Sequence, residues 1–180
     1  LIYKDKKLVT FDKKDSTGIC FIGERPFPDF LSNYLPQKKG DIFDENSNLI
    51  GKHNGVHFYT LGQRQGLGIG GVKGSSEQPW YVAAKDNLNN SLTVVQDNNH
   101  PLLLNSELKV KKINWLISKL PNLNNLNCKI RYRQKDQLCS LEETSNGWVV
   151  SFEEPQRAIT PGQSIVFYDG DTCLGGGEID

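Results

Sequence analysis

Six short segments of strand-like alternation fill the second half of the chain: 107–115, 128–134, 137–142, 147–152, 164–168 and 172–179, with Asn and Gly clustered between them. Strands this short, at this spacing, predict a closed or sandwiched antiparallel sheet. The Asn-rich stretch 122–127 reads as a variable loop. No internal repeat is visible.

The first half is organised differently. Residues 1–24 are charged and then punctuated by glycine, as in an extended segment leading into a loop around Cys20. The stretch 26–36 predicts one short helix. Proline is tolerated in a first helical turn, Phe27, Phe30, Leu31 and Tyr34 fall on one face, and Pro36 stops it. From Gly40 onward the pattern is β. Residues 41–44 lead into a turn at 45–48, and Val56, Phe58 and Thr60 alternate with His57, Tyr59 and Leu61, which reads as a strand. Segments 80–84 and 92–96 flank a hairpin-like loop, and Asn98-Asn99-His100-Pro101 reads as a boundary. The expected fold is mainly β: a small central mixed β domain over 25–104 with one short helix, then an antiparallel β-barrel over 105–180.

Lys and Arg number 21, Asp and Glu 21, so net charge does not announce a nucleic acid; its distribution matters more. Between Lys109 and Lys135 there are eight basic residues and no acidic one, whereas the final segment carries Asp169, Asp171, Glu178 and Asp180. On charge alone, a binding face and an ordinary solvated face stay equally open. No apolar run is long enough to span a bilayer and no signal-peptide pattern opens the chain, so the expectation is a cytoplasmic protein without a membrane partner. The absence of methionine predicts a fragment or a processed product. The four cysteines, Cys20, Cys128, Cys139 and Cys173, form no C-x-x-C pair, which argues against zinc-ribbon and thioredoxin-like readings. Their wide spacing gives no dense disulfide framework and suits a reducing cytosol. Cys128, Cys139 and Cys173 read as core.

Several motifs bear on chemistry. Gly66-Leu67-Gly68-Ile69-Gly70-Gly71 satisfies G-x-G-x-x-G, but no helix pattern follows, so a tight turn is the better reading than a dinucleotide site. Gln63 and Arg64 beside it are weak candidates for phosphate contacts. His53 and His57 are four apart, yet Gly55 lies between them in a β context, so no metal site is expected. Asn89-Asn90-Ser91 is a glycosylation sequon of no consequence in a cytosolic protein. In 128–134, strand periodicity puts Ile130 and Tyr132 on one face and Lys129, Arg131 and Arg133 on the other. A row of cations fits a phosphate backbone and a tyrosine at the rim fits a base. A half-buried edge strand protected by charge fits equally well.

Cys20 stands out most. Lys13 and Lys14 precede it, Arg25 follows, and Gly18 and Gly23 flank it. Nearby cations favour the nucleophilic thiolate, and glycines let a backbone turn and move. The plain alternative is packing, since Ile19, Phe21 and Ile22 look like core.

The stretch from Lys13 to Arg25 closely resembles the sulfur-transfer loop of the bacterial tRNA-specific 2-thiouridylases. The resemblance continues in order through Gly51-Lys52-His53-Asn54-Gly55, Tyr59-Thr60-Leu61-Gly62-Gln63-Arg64-Gln65-Gly66-Leu67-Gly68, Pro79-Trp80-Tyr81-Val82, Arg131-Tyr132-Arg133-Gln134, Pro155-Gln156-Arg157-Ala158, Thr160-Pro161-Gly162-Gln163-Ser164 and Cys173-Leu174-Gly175-Gly176-Gly177. It implies that residues 1–24 are the tail of a catalytic domain whose ATP-binding part is missing, and that a C-terminal β-barrel binds tRNA. The family replaces oxygen by sulfur at C2 of the wobble uridine. ATP and magnesium serve the missing domain. Cys20 would receive sulfur as a persulfide from an upstream sulfur-relay protein or cysteine desulfurase, and would later form a disulfide with a second cysteine absent here. The family's tRNA contacts fall on Arg131, Tyr132 and Gln163. The chain by itself is expected to be catalytically inert. Two other readings are a passive RNA-docking module in which Cys20 packs, and a barrel associated with the ribosome or a translation factor.

Overall fold

The computed structural model describes residues 34–35, 37–69, 78–132 and 134–180. The helix expected over 26–36 falls outside them, apart from Tyr34 and Leu35. So do the Cys20 loop, Gly70, Gly71 and Arg133. All elements below belong to one compact unit, Lys38–Asp180. No helix among the described residues is long and apolar enough to cross a membrane.

The first sheet is made of two hairpins. β1 (Gly40–Phe43) pairs antiparallel with β2 (Leu49–His53), and β3 (Trp80–Asp86) with β4 (Ser91–Gln96). β1 lies parallel to β4, giving the order β2-β1-β4-β3 and a mixed sheet, as expected. The same side-chain device builds both turns. Asp44 Oδ1 accepts from the backbone N–H of Asn46 (2.9 Å) and Asn48 (2.8 Å), and Asp86 Oδ1 accepts from those of Leu88 and Asn89 (both 2.9 Å). An aspartate that hydrogen-bonds its own following backbone is a ready-made turn. The Asn48 side chain holds the Asp44 carboxyl below its ordinary range, and backbone and side-chain bonds from Asn89 do the same for Asp86.

Under this sheet lie Ile42, Val56, Tyr59, Leu67, Val82, Leu92 and Val94. Residues 56–58 form a single turn of 3-10 helix rather than the expected strand. The reason is two buried polar residues, His53 just before the turn and Asn90 from far along the chain. Gly55 N–H donates to His53 Nδ1 (3.0 Å) and Val56 N–H to Asn90 Oδ1 (3.4 Å), so side chains satisfy donors that a strand would give to a neighbour. Gly55 has φ 143, a conformation open to glycine.

His53 is only 2% exposed. Since Nδ1 accepts from Gly55, the ring proton sits on Nε2 and is donated to the Asn90 carbonyl (3.1 Å). Burial lowers its pKa below 6.5. The folded protein therefore binds this proton less readily than the unfolded chain. Stability is expected to be flat above neutrality and to fall as pH drops below 6.5, by up to about 1.4 kcal/mol per pH unit until the folded pKa is reached. Urea unfolding between pH 7.5 and 5 measures this, and His53→Asn should flatten the dependence.

A 3-10 turn (Pro101–Leu103), capped by His100 Nδ1 accepting from Leu102 N–H at 3.2 Å, leads into the second sheet. Its strands are β5 (Leu104–Trp115), β6 (Leu126–Lys129), β7 (Gln137–Thr144), β8 (Gly147–Arg157), β9 (Ser164–Asp169) and β10 (Thr172–Ile179). They form a closed barrel, ordered β10-β5-β8-β7-β6-β9, with every pair antiparallel. Of the closed and sandwiched sheets that the strand spacing allows, this is the closed one, as the resemblance implies, and closure leaves no open edge. Phe167 is fully buried at its centre, with its ring 5.8 Å from that of Trp115, which meets Trp148 edge-on at 6.2 Å. Gly175 lets β10 reach β5. Its φ is 151, and a Cβ there would collide with the Asn114 carbonyl.

Three details differ from expectation. β6 stops at Lys129, so Ile130, Arg131, Tyr132 and Gln134 are not strand. β8 runs on to Arg157. Cys173 is exposed, not core: the register shifts between Cys173 and Gly175, and Leu174 takes the inward place. Cys128 and Cys139 are buried as expected. A hydrogen bond to Cys139, with burial, pushes the Cys128 thiol far up, which makes it a poor nucleophile.

Candidate nucleic-acid interface

The chain leaves the barrel after Lys129 and returns at Gln137. Ile130, 4% exposed, anchors the start of this loop. Amides hold the rest. Gln134 Oε1 accepts from Ile130 N–H (2.9 Å), and Gln134 Nε2 donates to Gln156 Oε1 (2.8 Å). Gln156 Nε2 donates to Gln137 Oε1 and to the Glu154 carbonyl (both 2.8 Å). Gln137 Nε2 donates to the carbonyls of Lys135 (3.0 Å) and Asp136 (3.1 Å). Gln156 is buried, and both ends of its amide are satisfied, so its burial carries no unpaired polar atom.

This bracing aims Arg131 and Tyr132. Arg131 Nη2 donates to the carbonyls of Arg157 (3.0 Å), the last residue of β8, and Ala158 (3.1 Å), the next one along. Tyr132 stands 79% exposed beside it. The two are neighbours in a turn, not residues on opposite faces of a strand. Gln163 arrives from another direction. Gly162, at φ 82, makes the turn; its N–H donates to the Ile179 carbonyl (2.8 Å), and Ile179 N–H donates to the Gln163 carbonyl (2.8 Å). Both sides of the turn are thus tied to the end of β10.

These pieces frame one cleft of about 700 Å³. Lys129, Ile130, Arg131 and Tyr132 line one wall, and Gln163, Ser164, Val166 and Tyr168 the other. β6 and β9 are paired neighbours, with Lys129 opposite Val166 and Asn127 opposite Tyr168, which brings the walls together. The three residues marked in the sequence, Arg131, Tyr132 and Gln163, all lie in this cleft. Tyr168 and Ser164 were not singled out by sequence. Tyr168 occurs in a strand-like segment, but only the pairing of β9 with β6 turns it toward Lys129.

The cleft is cationic with an aromatic floor. Lys129 Nζ lies 5.2 Å from the centre of the Tyr168 ring and 3.0 Å from Asp136 Oδ1. The hydrogen bond to Asp136, first of several causes, raises its pKa and keeps it charged. A lysine, a guanidinium, two phenol rings and a primary amide in one groove can meet phosphate oxygens, stack on bases and hydrogen-bond sugar or base edges.

Arg157 joins the two sheets. Its Nε donates to the Asn98 carbonyl (2.8 Å) and its Nη2 to that of Gly62 (3.4 Å), while the guanidinium lies 5.0 Å from the centre of the Tyr81 ring. Its carbonyl is one of the two that hold Arg131. Other features read from sequence stand apart. Gln63 spends its amide inside its own loop, on Thr60 N–H (2.9 Å) and the Gln65 carbonyl (2.9 Å). Arg64 is exposed, and Gly66 and Gly68 both have positive φ. Among the described residues no group of three His, Cys, Asp or Glu side chains could hold a metal ion. Cys20 lies outside the described residues.

A mixed sheet followed by a closed barrel with a cationic, tyrosine-lined groove defines a β-rich module suited to a nucleic-acid strand. Comparison with known families gives the class. Residues 28–96 match the tRNA methyl transferase PRC-barrel domain, and residues 105–179 the aminomethyltransferase beta-barrel domain. Over 181 aligned residues the chain is 59% identical to the tRNA-specific 2-thiouridylase MnmA of Francisella philomiragia, covering 99% of this chain and 50% of that protein. It is 58% identical, with the same coverage, to the proteins of that name from Francisella tularensis subspecies tularensis and holarctica. The chain belongs to the tRNA-specific 2-thiouridylase family, and it spans about half the length of the curated relatives it matches.

Proposed function

We propose that this chain is the part of a tRNA 2-thiouridylase that docks the tRNA and carries, at Cys20, the sulfur that replaces oxygen at C2 of the wobble uridine. The observation that carries the docking half is the single cleft shared by Arg131, Tyr132 and Gln163. The sulfur half rests on the resemblance of the Cys20 stretch and its flanking cations.

In this reading ATP, with magnesium, supplies the activation of the uridine oxygen, in the half of the enzyme that this chain does not span. A cysteine desulfurase or sulfur-relay protein leaves a persulfide on Cys20. The terminal sulfur of that persulfide forms a bond to C2, and the bond from C2 to the activated oxygen breaks as AMP leaves. A second cysteine thiolate then attacks the Cys20 sulfur. A disulfide forms, the bond between the two persulfide sulfurs breaks, and its electron pair stays with the tRNA as the thiocarbonyl. The reaction belongs in the cytoplasm, where tRNA, ATP and the sulfur donor meet.

Arg131→Ala is expected to weaken tRNA binding about tenfold and to reduce the slope of log affinity against log salt by roughly 0.7 to 1. Gln163→Ala should weaken binding without changing that slope, since it removes no charge. Filter binding from low to high salt reads both. Unchanged affinity in both variants, with thermal unfolding unaltered, would remove the docking role.

A further inference from the structure

We propose that Asp136 is a built-in competitor for RNA phosphate: in the unliganded protein it occupies Lys129, and a phosphodiester of the bound strand displaces it. The inference rests on the cleft being the RNA site and goes beyond it, by assigning a fourth polar contact and a selectivity residue that resists binding.

Asp136 is the first acidic residue after the stretch from Lys109 to Lys135, which carries eight cations and no acid. The fold brings this carboxylate, itself solvent-exposed, to Lys129, which lines the cleft. The Gln137 side chain holds the Asp136 carbonyl at 3.1 Å, and Asp136 Oδ1 then sits 3.0 Å from Lys129 Nζ. Lys129 is steadied from the other side by the Tyr168 ring. Its ammonium is therefore placed on the cleft wall before any ligand arrives.

The pair is built to exchange. Its side chains are 35% and 45% exposed, so water screens it and little is lost when it opens. A buried pair could not be parted so cheaply. A phosphodiester oxygen carries one negative charge, as the carboxylate does, so the swap conserves charge at Lys129. An isolated monoanion gains nothing over Asp136. A strand that also engages Arg131, Tyr132 and Gln163 gains the difference through those contacts. Asp136 thus subtracts from every anion equally and leaves only multidentate ligands above threshold.

A purely bracing role for the same pair predicts the opposite sign, which makes the test decisive. The 180-residue chain and its K129Q, D136N and double variants are titrated with a transcribed tRNA bearing uridine at the wobble position, over a range of salt. K129Q keeps the stem over Tyr168 and loses the charge. It should bind about five- to tenfold more weakly, with a salt slope lower by roughly 0.7. D136N should bind about threefold more tightly, and most of that gain should vanish in the double variant. Weaker or unchanged binding by D136N overturns the inference and makes the pair a brace. Unchanged affinity and slope in K129Q overturns it as well. If the unsubstituted chain binds no tRNA, the reading of the cleft fails, and this inference with it.

Discussion

Replacing Cys20 by serine in the complete enzyme is expected to abolish tRNA thiolation and leave tRNA affinity unchanged. Serine keeps the size and removes the chemistry. Its oxygen cannot hold a transferable sulfur, and its hydroxyl does not ionise near neutral pH. Activity should fall by at least about a thousandfold, since the covalent step loses the atom that would carry the sulfur. Affinity should hold, because the proposed tRNA contacts are carried by Arg131, Tyr132 and Gln163. The product is read by mass spectrometry of digested tRNA for 2-thiouridine, with filter binding in parallel. Retained thiolation would reduce Cys20 to packing. Loss of both activities would point to misfolding rather than lost sulfur transfer.

The largest expected effect on stability lies at Asn90. This residue is 8% exposed and sits at φ 50, which asparagine tolerates better than most side chains. Its Nδ2 donates to the carbonyls of Lys38 (3.1 Å) and Lys39 (3.0 Å), its Oδ1 accepts from Val56 N–H, and its own carbonyl accepts from His53. One amide therefore fixes the entry to β1, the turn after β2 and the start of β4. Asn90→Ala should cost about 3 kcal/mol, from lost bonds, orphaned buried groups and backbone strain together. Asn90→Asp should cost more at neutral pH, because a carboxylate would then face two carbonyl oxygens. Its deficit should shrink in acid as the carboxyl is protonated and regains a donor. Urea unfolding measures both, and a loss under about 1 kcal/mol for Asn90→Ala would show that the three segments are held by other means.

Much of this architecture can be read from local pattern. The barrel strands announce themselves because Asn and Gly separate segments that alternate, and both hairpins of the first sheet carry an aspartate where the chain must turn. The errors share one cause. Residues 56–58 alternate like a strand, but His53 and Asn90 claim their backbone donors from positions no periodicity connects. Residues 130–134 continue the alternation of β6 in sequence, yet the Gln134, Gln156 and Arg131 side chains tie Ile130, Arg131 and Gln134 into turns outside the strand. Cys173 has strand neighbours and still points out, because a register shift moves the inward place to Leu174. Arg131, Tyr132 and Gln163 were legible through a resemblance. Asp136 and Tyr168 were not, since only the pairing of β6 with β9 and the folding back of the loop bring them to Lys129.

The three glutamines behind the cleft form a row with a direction. Each amide has a giving end and a receiving end. From Gln137 back through Gln156 to Gln134, every receiving oxygen faces a donor: Gln156, Gln134 and finally the Ile130 N–H. Reversing one member alone would set like ends against each other, and reversing all three would set Gln134 Nε2 against the Ile130 N–H and the Gln137 oxygen against two carbonyls, so the row has one direction only. The wall that carries Arg131 and Tyr132 is therefore keyed to backbone groups at both ends of the row, and its polarity is written into the fold rather than chosen by a ligand.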